Sequence, residues 1–415
     1  MADFKRKLSR LGDAPPPASP GPDAPETDRA VQLDVLRDRL AEMLQQKPAS
    51  RRRAGELSLD DLPFVCEERD SGPLFVRRER LGPSTHVGHA SVESARSAAA
   101  AMLALLALDP TLAAVDPARA LYLDLETTGL GGGAGVVAFL VGLGWFDGNV
   151  FVLEQLMLRQ PGEEAALLEL VAERLQAASL VVTYNGKAFD LPTLRGRYVM
   201  NRLPAPVEPP QLDLLHVGRR LHRARLGGCR LATLEGGVLG FVRAEDIDGA
   251  EVPQRYAHYL RTGDAEGLSA VVEHNAWDVT SMAALVGLYG EPLDRLDPRD
   301  LAALALTLKR ARALDAAHQA AEEAVARAGD PAALRARAEI AKARGDRVSA
   351  LKDFETLCDE VDEPKIRLEL AKLYEHHVKE PLRALQWVQQ GTGESDEATA
   401  RRTARLQRKI SKTKR

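Results

Sequence analysis

The sequence predicts an α/β domain with a mixed sheet and flanking helices, followed by an all-helical domain. Between residues 120 and 217, short apolar runs alternate with helical patterns, as in a sheet covered by helices. After Asp297 the composition changes to Ala, Leu, Lys, Arg and Glu with a helical period and hardly any strand formers. At 415 residues, the chain is long enough for two or three domains, each with its own core.

The composition is that of a globular protein without an overall positive field. Hydrophobic residues make up 45% and charged residues 28%, and the net charge is −4, so any nucleic-acid partner must be bound locally. The three cysteines lie far apart without a CxxC pair, which favours reduced thiols in a cytosol. The longest apolar run, residues 98–108, is shorter than the ~18 residues of a membrane span. We expect a cytoplasmic protein that does not contact a membrane.

The N-terminal part divides into two predicted segments. Residues 1–28 are rich in Pro, Ala and Asp and poor in residues that form a core, so we expect a disordered tail. Residues 29–114 are predicted to be a helical and irregular segment that begins with an amphipathic helix over residues 31–43.

The central domain is predicted over residues 115–290. Three strands come first, and the last two form an antiparallel hairpin around the turn at Asp147-Gly148. A β-α-β arrangement then follows a helix, which indicates a mixed sheet with helices on both faces. In chain order the elements are strands 120–126, 136–146 and 150–158, helix 163–177, strand 180–184, helix 190–200 and a short apolar run at 212–217.

A helical repeat is predicted over residues 291–400. The pairs Ala316-Ala317, Ala350-Leu351 and Ala384-Leu385 recur at a spacing of 34, which resembles three tetratricopeptide-like units. An ordinary bundle of Ala-rich helical hairpins is the alternative. Residues 401–415 carry eight Lys or Arg and no acid, so they form a basic C-terminal tail that either contacts nucleic acid or is solvated and partly disordered.

Two carboxylates share one face of the first predicted strand. Strand alternation over residues 121–126 puts Asp124 and Glu126 on one face and three leucines on the other. Helices cover both faces of such a sheet, so two like charges are costly there unless they open on a cleft and hold a cation. Carboxylate oxygens favour Mg²⁺ or Mn²⁺. The alternative is an exposed strand end with solvated acids.

Three local motifs carry a family resemblance over roughly residues 115–290. Asp124-x-Glu126-Thr-Thr-Gly-Leu after an apolar strand resembles the first motif of the DEDD 3′ to 5′ exonucleases of the ribonuclease H-like superfamily. Asn185-x-x-x-Phe-Asp190 resembles the second motif. His274-Asn275-x-x-Asp278 resembles the third, although the family has a Tyr four residues or a His five residues before its last Asp. The glycines at 131–133 and the His-Asn-x-x-Asp ending, with the repeat-like tail, are most similar to the YprB-type ribonuclease H-like family.

The resemblance implies a two-metal nuclease. Asp124, Glu126, Asp190 and Asp278 would hold two Mg²⁺ or Mn²⁺ ions about 3.5 to 4 Å apart, which activate water and stabilise an in-line phosphoryl displacement. His274 would orient or deprotonate the water, with Asn275 as the alternative. The sequence thus predicts a 3′ to 5′ exonuclease. The alternative function is a tetratricopeptide-type scaffold whose ribonuclease H-like domain binds nucleic acid with little or no cleavage, which the unusual His274 spacing motivates.

The expected partner is a single-stranded 3′ end of DNA or RNA, and the helical repeats are a possible site for a protein partner. Backbone groups near the first motif would cradle the terminal nucleotide, and a basic stripe over residues 218–230 would follow the phosphates. Arginines on a solvated helix are the alternative for the stripe. Asp213 is interpreted as a helix cap or a supporting acid. The candidate nucleic-acid-binding residues are Thr127, Thr128, Leu130, Asn185, Lys187, Arg219, Arg220 and Arg223.

Overall fold

The structure, a computed structural model, describes residues 57–129, 135–291 and 295–413. The predicted tail over residues 1–28, the predicted helix over 31–43 and Leu130 lie outside these ranges. Within the described ranges, none of the helices combines the length and apolarity needed to cross a membrane.

A seven-stranded mixed sheet forms the centre of the molecule. Its strand order is β1-β2-β7-β6-β5-β8-β9, in which β8 and β9 run parallel to β5 and the remaining neighbours pair antiparallel. A separate ribbon pairs β3 with β4. The strands are β1 (Val65–Arg69), β2 (Gly72–Leu81), β3 (His86–Val87), β4 (Ala90–Ser91), β5 (Ala120–Thr127), β6 (Ala138–Asp147), β7 (Val150–Met157), β8 (Leu180–Thr183) and β9 (Gln211–Asp213).

Helices cover both faces of the sheet and then form the whole C-terminal part. Of the sheet helices, α6 is the longest and packs along β5 and β6. The helices are α1 (Ala100–Ala107), α2 (Glu164–Ala177), α3 (Asp190–Met200), α4 (Leu214–Leu221), α5 (Val252–Thr262), α6 (Ser269–Gly290), α7 (Pro298–Arg310), α8 (Leu314–Arg327), α9 (Pro331–Arg344), α10 (Arg347–Glu360), α11 (Pro364–Leu373), α12 (Pro381–Gln389) and α13 (Asp396–Thr413). Short helical turns lie at Glu93–Ser97, Pro110–Ala114, Pro117–Arg119, Arg223–Leu226, Leu231–Leu234, Glu235–Leu239, Glu266–Leu268 and Tyr374–Val378.

This architecture confirms the predicted fold class. The β6–β7 hairpin turns at Asp147-Gly148, where Gly148 has a φ of 62° that glycine adopts without steric cost. The leucines of β5 belong to the core cluster on the α2 side of the sheet, whereas Tyr122 belongs to the cluster on the α6 side. Side chains that alternate with the β5 leucines therefore face α6.

The structure differs from the predicted helical and irregular segment over residues 65–81. These residues form β1 and β2, which extend the sheet by pairing with β7. Only Leu74 and Val76 of β2 are buried, and the strand then continues through charged residues. β2 is held by main-chain hydrogen bonds to β7, which lies some 75 residues later in the chain. The β2 sequence therefore has no continuous apolar alternation that would predict a strand.

The C-terminal helices form consecutive hairpins with a regular period. Pro298, Pro331 and Pro364 each occupy the first turn of α7, α9 and α11, a position where the missing N–H costs nothing. Ala317 and Ala350, from the predicted repeat, are fully buried on α8 and α10. The all-helical prediction is confirmed, and the tetratricopeptide-like identification stays a prediction.

The predicted basic tail is helical over most of its length. Residues 401–413 belong to α13, which begins at Asp396. Three of its basic side chains, those of Arg402, Arg405 and Lys409, contact the buried carboxylate of Glu375. These contacts between helices explain why the segment is ordered although its composition indicated a solvated end.

A buried polar network joins the sheet part to the helical part. His222 Nδ1 lies 2.8 Å from Asp300 Oδ2, and His222 Nε2 lies 3.0 Å from the hydroxyl of Tyr289. Arg225 donates to the same Asp300 carboxylate at 2.6 Å. Because Asp300 lies on α7, this network fixes the first helix of the C-terminal part against α4 and α6.

Candidate active site

The first two acids lie on β5, where the sequence predicts them. Asp124 and Glu126 alternate with Leu121, Leu123 and Leu125, which are 5% exposed or less. The pairing of β5 with β6 shifts register between Glu126 and Thr127, so the strand ends in an irregularity next to the acids. Such irregularities often occur beside functional sites, where they redirect side chains.

The third acid comes from the start of a helix. Asp190 is the first residue of α3 and is 3% exposed. Burial raises the pKa of its carboxyl to about 8, because backbone hydrogen bonds from Asp190 itself and from Leu125 only partly offset the desolvation and the nearby charge of Asp213. The bond to Leu125 brings Asp190 beside β5.

The fourth acid and the histidine lie one helical turn apart on α6. Three potential ligand atoms lie within 4.8 Å of one another, one each from Glu126, His274 and Asp278. At this spacing the three side chains could hold a metal ion. His274 Nε2 is 3.7 Å from Asp278 Oδ2. The structure thus brings together acids from β5, α3 and α6, which are separated by up to about 150 residues in the sequence.

Negative charge in this cluster exceeds what the neighbouring groups neutralise. Burial, and then the charges of Asp278 and Asp190, raise the pKa of Asp124 well above its usual range. Burial and the charge of Asp124 do the same to the pKa of Glu126. A cation relieves the electrostatic cost of buried like charges, so the direction of these pKa shifts agrees with the spacing at which Glu126, His274 and Asp278 could hold a metal ion.

Arg243 is a cation at this site that the sequence reasoning missed. Its guanidinium donates to both oxygens of Glu235, at 2.6 and 2.7 Å, and also to Asp278. The side chain is 4% exposed and lies over the ring of Trp277, 5.6 Å from its centroid. Arg243 lies in the irregular segment after residue 240, where no periodicity or motif marks it.

Asp246 holds His274 in a defined orientation. The Oδ1 atom of Asp246 lies 2.6 Å from His274 Nδ1. The same nitrogen also contacts the guanidinium of Arg243, at the longer distance of 3.2 Å. A carboxylate only accepts hydrogen bonds, so it favours the tautomer with the hydrogen on Nδ1. Nε2, which faces Asp278, then carries the free lone pair.

A row of polar side chains crosses the sheet and ends at Asp124. The register aligns Arg77 of β2 with Gln155 of β7, Gln155 with Gly142 of β6, and Gly142 with Asp124. Arg77 donates to Gln155 at 2.6 Å, Gln155 donates to Asn275 Oδ1 at 2.9 Å, and Asn275 Nδ2 donates to Asp124 at 2.8 Å. The row orients one oxygen of Asp124.

Gly142 makes this row possible. A Cβ at Gly142 would lie 2.3 Å from Asn275 Oδ1, closer than any side chain allows. The missing side chain therefore provides the space in which the fully buried Asn275 reaches Asp124 from α6. With both ends of its amide engaged, Asn275 supports Asp124.

Asp213 holds the second-motif loop, residues 185–189, through hydrogen bonds to its backbone. Its carboxylate accepts from the backbone N–H of Asn185 at 2.9 Å, of Lys187 at 3.1 Å and of Leu215 at 3.1 Å. The last bond makes Asp213 the N-cap of α4, which confirms its interpretation as a helix cap. Asn185 has a φ of 69°, and both Asn185 and Lys187 are exposed beside the buried Asp190.

The first-motif threonines use their hydroxyls within their own loop. Thr127 Oγ1 donates to the carbonyl of Gly129 at 2.8 Å, and Thr128 Oγ1 accepts from the N–H of Val137 at 3.1 Å.

The predicted basic stripe is divided between the surface and the interior. Arg219 and Arg223 are exposed. Arg220 instead donates to the carbonyls of Leu106 at 3.0 Å and Ala107 at 3.2 Å. These carbonyls end α1, where a cation satisfies unpaired acceptors and the helix dipole. These contacts give Arg220 a structural role, and its predicted contact with phosphates stays a prediction.

Comparisons with known proteins agree with the fold described above. Residues 121–289 match the family model of the RNase_H superfamily. The uncharacterized protein YprB of Bacillus subtilis (strain 168) is 39% identical over 166 residues, which make up 40% of this chain and 40% of that protein. The chain thus matches less than half the length of this relative. The family match includes all four acids and His274, and it indicates a ribonuclease H-like domain of nuclease type.

Proposed function

We propose that the ribonuclease H-like domain of this chain is a divalent-metal-dependent 3′ to 5′ exonuclease that hydrolyses phosphodiester bonds. The observation that carries the proposal is the convergence of Asp124, Glu126, Asp190 and Asp278 with a histidine whose Nε2 faces the same cluster. The superfamily match supports a nuclease-type activity. The 3′ to 5′ direction rests on the resemblance of the three motifs to the DEDD exonucleases.

The donor set fits Mg²⁺ or Mn²⁺. All four acids offer oxygen ligands, which hard divalent cations prefer, and the raised pKa values of Asp124 and Glu126 reflect negative charge without enough counter-charge. Asp124, Glu126, Asp190 and Asp278 would together hold the ions. When bound, such ions activate water and stabilise the attacking and leaving oxygens of a phosphoryl displacement.

His274 would take the proton from the attacking water. As the water oxygen forms its bond to phosphorus, the proton moves to His274 Nε2, and the bond from phosphorus to the leaving oxygen breaks. Asp246 stabilises the imidazolium that results, because it accepts the Nδ1 hydrogen at 2.6 Å. The Asp246–His274 pair supports the assignment of His274 as a general base, although His274 lies four residues before Asp278 and not five.

The strand would approach over the exposed residues beside Asp190. Asn185 and Lys187 lie on the rim formed by the second-motif loop, and Arg219 and Arg223 are exposed further along the chain. Of the first-motif residues, Thr128 would contact the strand through its hydroxyl hydrogen, because its Oγ1 only accepts within the loop and its backbone N–H donates to the carbonyl of Val137 at 3.0 Å. Thr127 would contact the strand through its hydroxyl oxygen, since its hydroxyl hydrogen is donated to Gly129.

One observation favours the alternative, a scaffold that binds nucleic acid without efficient cleavage. Arg243 already pairs with Asp278, so one of the four carboxylates has a resident cation. If this ion pair persists, Asp278 contributes little to metal binding and turnover is weak. The two functions therefore differ in whether divalent ions displace the Arg243 contact.

The test uses single strands of DNA and RNA that carry a label at the 3′ or the 5′ end, incubated with Mn²⁺ or Mg²⁺. We expect release of mononucleotides from the 3′ end by the unaltered chain and none by the Asp124→Ala variant. Asp147→Ala, which removes an exposed acid at the end of β6, is the matched control and should retain full activity. Internal cutting would keep the site but contradict the exonuclease assignment.

A metal titration separates the nuclease from the scaffold. Asp124-dependent binding of Mn²⁺ without turnover on any strand, duplex or flap would favour the scaffold. Turnover that is lost in Asp124→Ala and retained in Asp147→Ala would exclude it.

A further inference from the structure

A second charged site lies in the C-terminal helical part, far along the chain from the carboxylate cluster. A cavity of about 590 Å³ opens there, and five of its nine lining residues are Lys or Arg, whereas one is acidic. We call it the cationic groove. Its basic lining residues are Lys342, Arg347, Lys372, Arg402 and Arg405.

The groove follows alternate helices of the hairpin series. Lys342 lies on α9, Lys372 on α11, and Arg402 and Arg405 on α13. In stacked helical hairpins, alternate helices share one face of the array, which is the extended surface that such arrays use for binding. Four of the five basic lining residues therefore lie along one face, and the fifth, Arg347, lines the groove from the first position of α10.

Cations outnumber the acids that hold them. Glu369 accepts from Lys342 at 2.6 Å and from Lys372 at 2.7 Å. Glu375 accepts from Arg405 at 2.6 Å and is also contacted by Arg402 and Lys409. The Arg405 hydrogen bonds are the largest cause that lowers the pKa of Glu375 to about 2. Arg402 also pairs with Glu394 at 2.7 Å. These three carboxylates face the five basic lining residues and Lys409, so the groove keeps a net positive charge.

The basic groups are held in place yet reach solvent. The side chains of Lys342, Lys372 and Arg405 are 40%, 42% and 43% exposed. Arg347 donates to the uncharged ring of His377 at 2.8 Å, so this guanidinium has a partner that does not neutralise it. Groups fixed in this way lose little side-chain entropy when an anion binds.

The lining favours a phosphate backbone over an acidic peptide. Leu373 is the one apolar residue of the lining, and it is buried, so the groove has no pocket that would recognise peptide side chains. Guanidinium groups match phosphate oxygens in a bidentate geometry, and binding by charge alone suits a repeating anion of any sequence.

We propose that the cationic groove binds the phosphate backbone of a nucleic acid strand, at a site separate from the carboxylate cluster. The proposal rests on the proposed function for the identity of the polymer and is independent of cleavage. It gives the helical part the task of holding a strand while the sheet part acts on it.

The test measures binding of labelled 20-nucleotide single strands of DNA and RNA to the full chain by fluorescence anisotropy, in EDTA and over a range of salt. The variant Arg347→Gln/Lys372→Gln/Arg405→Gln removes three charges but leaves Lys342 with Glu369, and Arg402 and Lys409 with Glu375. Each acid keeps a cation, but Arg405 is the main partner of Glu375, so we expect a lower melting temperature. Binding is therefore measured at a temperature at which circular dichroism shows the variant to be folded.

The expected result is an affinity at least about tenfold lower at 50 mM salt, with a log–log salt slope reduced by about 2, since each lost single-strand phosphate contact is worth about 0.7. The matched control is Arg299→Gln/Lys352→Gln/Arg383→Gln, which removes three exposed charges outside the groove. Its affinity and slope should remain near those of the unaltered chain.

Three results would overturn the proposal: equal affinity of the groove variant and the unaltered chain, an equal loss in both variants, or tighter groove-dependent binding of polyglutamate than of the strands. A further arm uses a labelled mononucleotide with inorganic phosphate as competitor. Binding of the mononucleotide as tight as that of the strand would identify a small-phosphate site instead of a backbone site. Groove-dependent binding without any cleavage would retain this inference and reject the exonuclease.

Discussion

The carboxylate cluster and the cationic groove treat buried acids in opposite ways. In the cluster, burial and neighbouring acids raise the pKa of Asp124 and Glu126. In the groove, Arg405 and its neighbours lower the pKa of Glu375 to about 2. The same residue type is therefore short of counter-charge in one region and oversupplied in the other. Uncompensated charge of either sign marks where a ligand of the opposite sign fits.

Among the changes at the carboxylate cluster, removal of the His274 side chain has the largest expected effect on the cleavage rate. For His274→Ala we expect the cleavage rate to fall roughly 100- to 10,000-fold, the range of a positioned general base. Strand affinity, measured in EDTA, should be unchanged because the acids and the groove remain. Asp246→Asn, which keeps the shape but weakens the hold on Nδ1, should give a smaller loss in kcat. An unaltered rate in His274→Ala would assign proton removal to solvent.

Glu375→Gln tests the charge balance of the cationic groove through two measurements, the unfolding free energy and the affinity for a nucleic acid strand. The pKa of Glu375 is lowered when the chain folds, so its ionised form stabilises the folded chain above pH 4.5, and this contribution is lost as the pH falls towards 2. A fall from 4.5 to about 2 corresponds to at most about 3 kcal/mol of unfolding free energy.

The Gln variant should therefore be less stable at pH 7 and lose less stability in acid, as urea unfolding at several pH values would show. It should also bind a strand more tightly, because a negative charge leaves the groove. Glu360→Gln, at the exposed end of α10, is a control for loss of an acid. Weaker strand binding by Glu375→Gln would contradict the excess of positive charge.

Divalent ions should stabilise the folded chain by binding at the carboxylate cluster. At Mn²⁺ a hundredfold above its Kd, one site stabilises the folded chain by about 2.7 kcal/mol, which a thermal shift detects. Without metal, Asp124→Asn should melt at a higher temperature than the unaltered chain, because it removes a charge from a crowded cluster. With Mn²⁺ its melting temperature should rise much less. Equal Mn²⁺ shifts in both proteins would exclude Asp124 as a ligand.

Gly142→Ala tests whether the polar row governs the cluster. Its Cβ would displace Asn275, so we expect a loss of roughly 1–3 kcal/mol in unfolding free energy, typical of overpacking. Mn²⁺ affinity should fall as well, because Asp124 loses its amide donor. Gly196→Ala is the control, since its Cβ meets nothing within 4 Å and Ala favours helix α3. Calorimetry on both variants provides both numbers.

The fold class and the acids could be predicted because local patterns carry them. Strand alternation placed Asp124 and Glu126 on one face, and the four-residue spacing of His274 and Asp278 placed them on one side of α6. The strands of residues 65–81 were missed because β2 buries two apolar side chains and otherwise depends on pairing with β7. The contacts of Arg220 could not be predicted because its carbonyl partners on α1 lie more than 110 residues earlier.

By itself, the sequence determined the elements of the central sheet from residue 120 onwards, the helical nature of the C-terminal part, and the acids and the histidine that meet at the site. Periodicity and motif spacing record these because they depend on neighbours within a few residues. Only the tertiary structure placed Arg243 on Asp278, set Asp246 behind His274 and left the space above Gly142 for Asn275. It also gathered basic residues of α9, α11 and α13 into one groove. Charge balance at a site depends on groups from distant segments, and distance in space has no local signature in the chain.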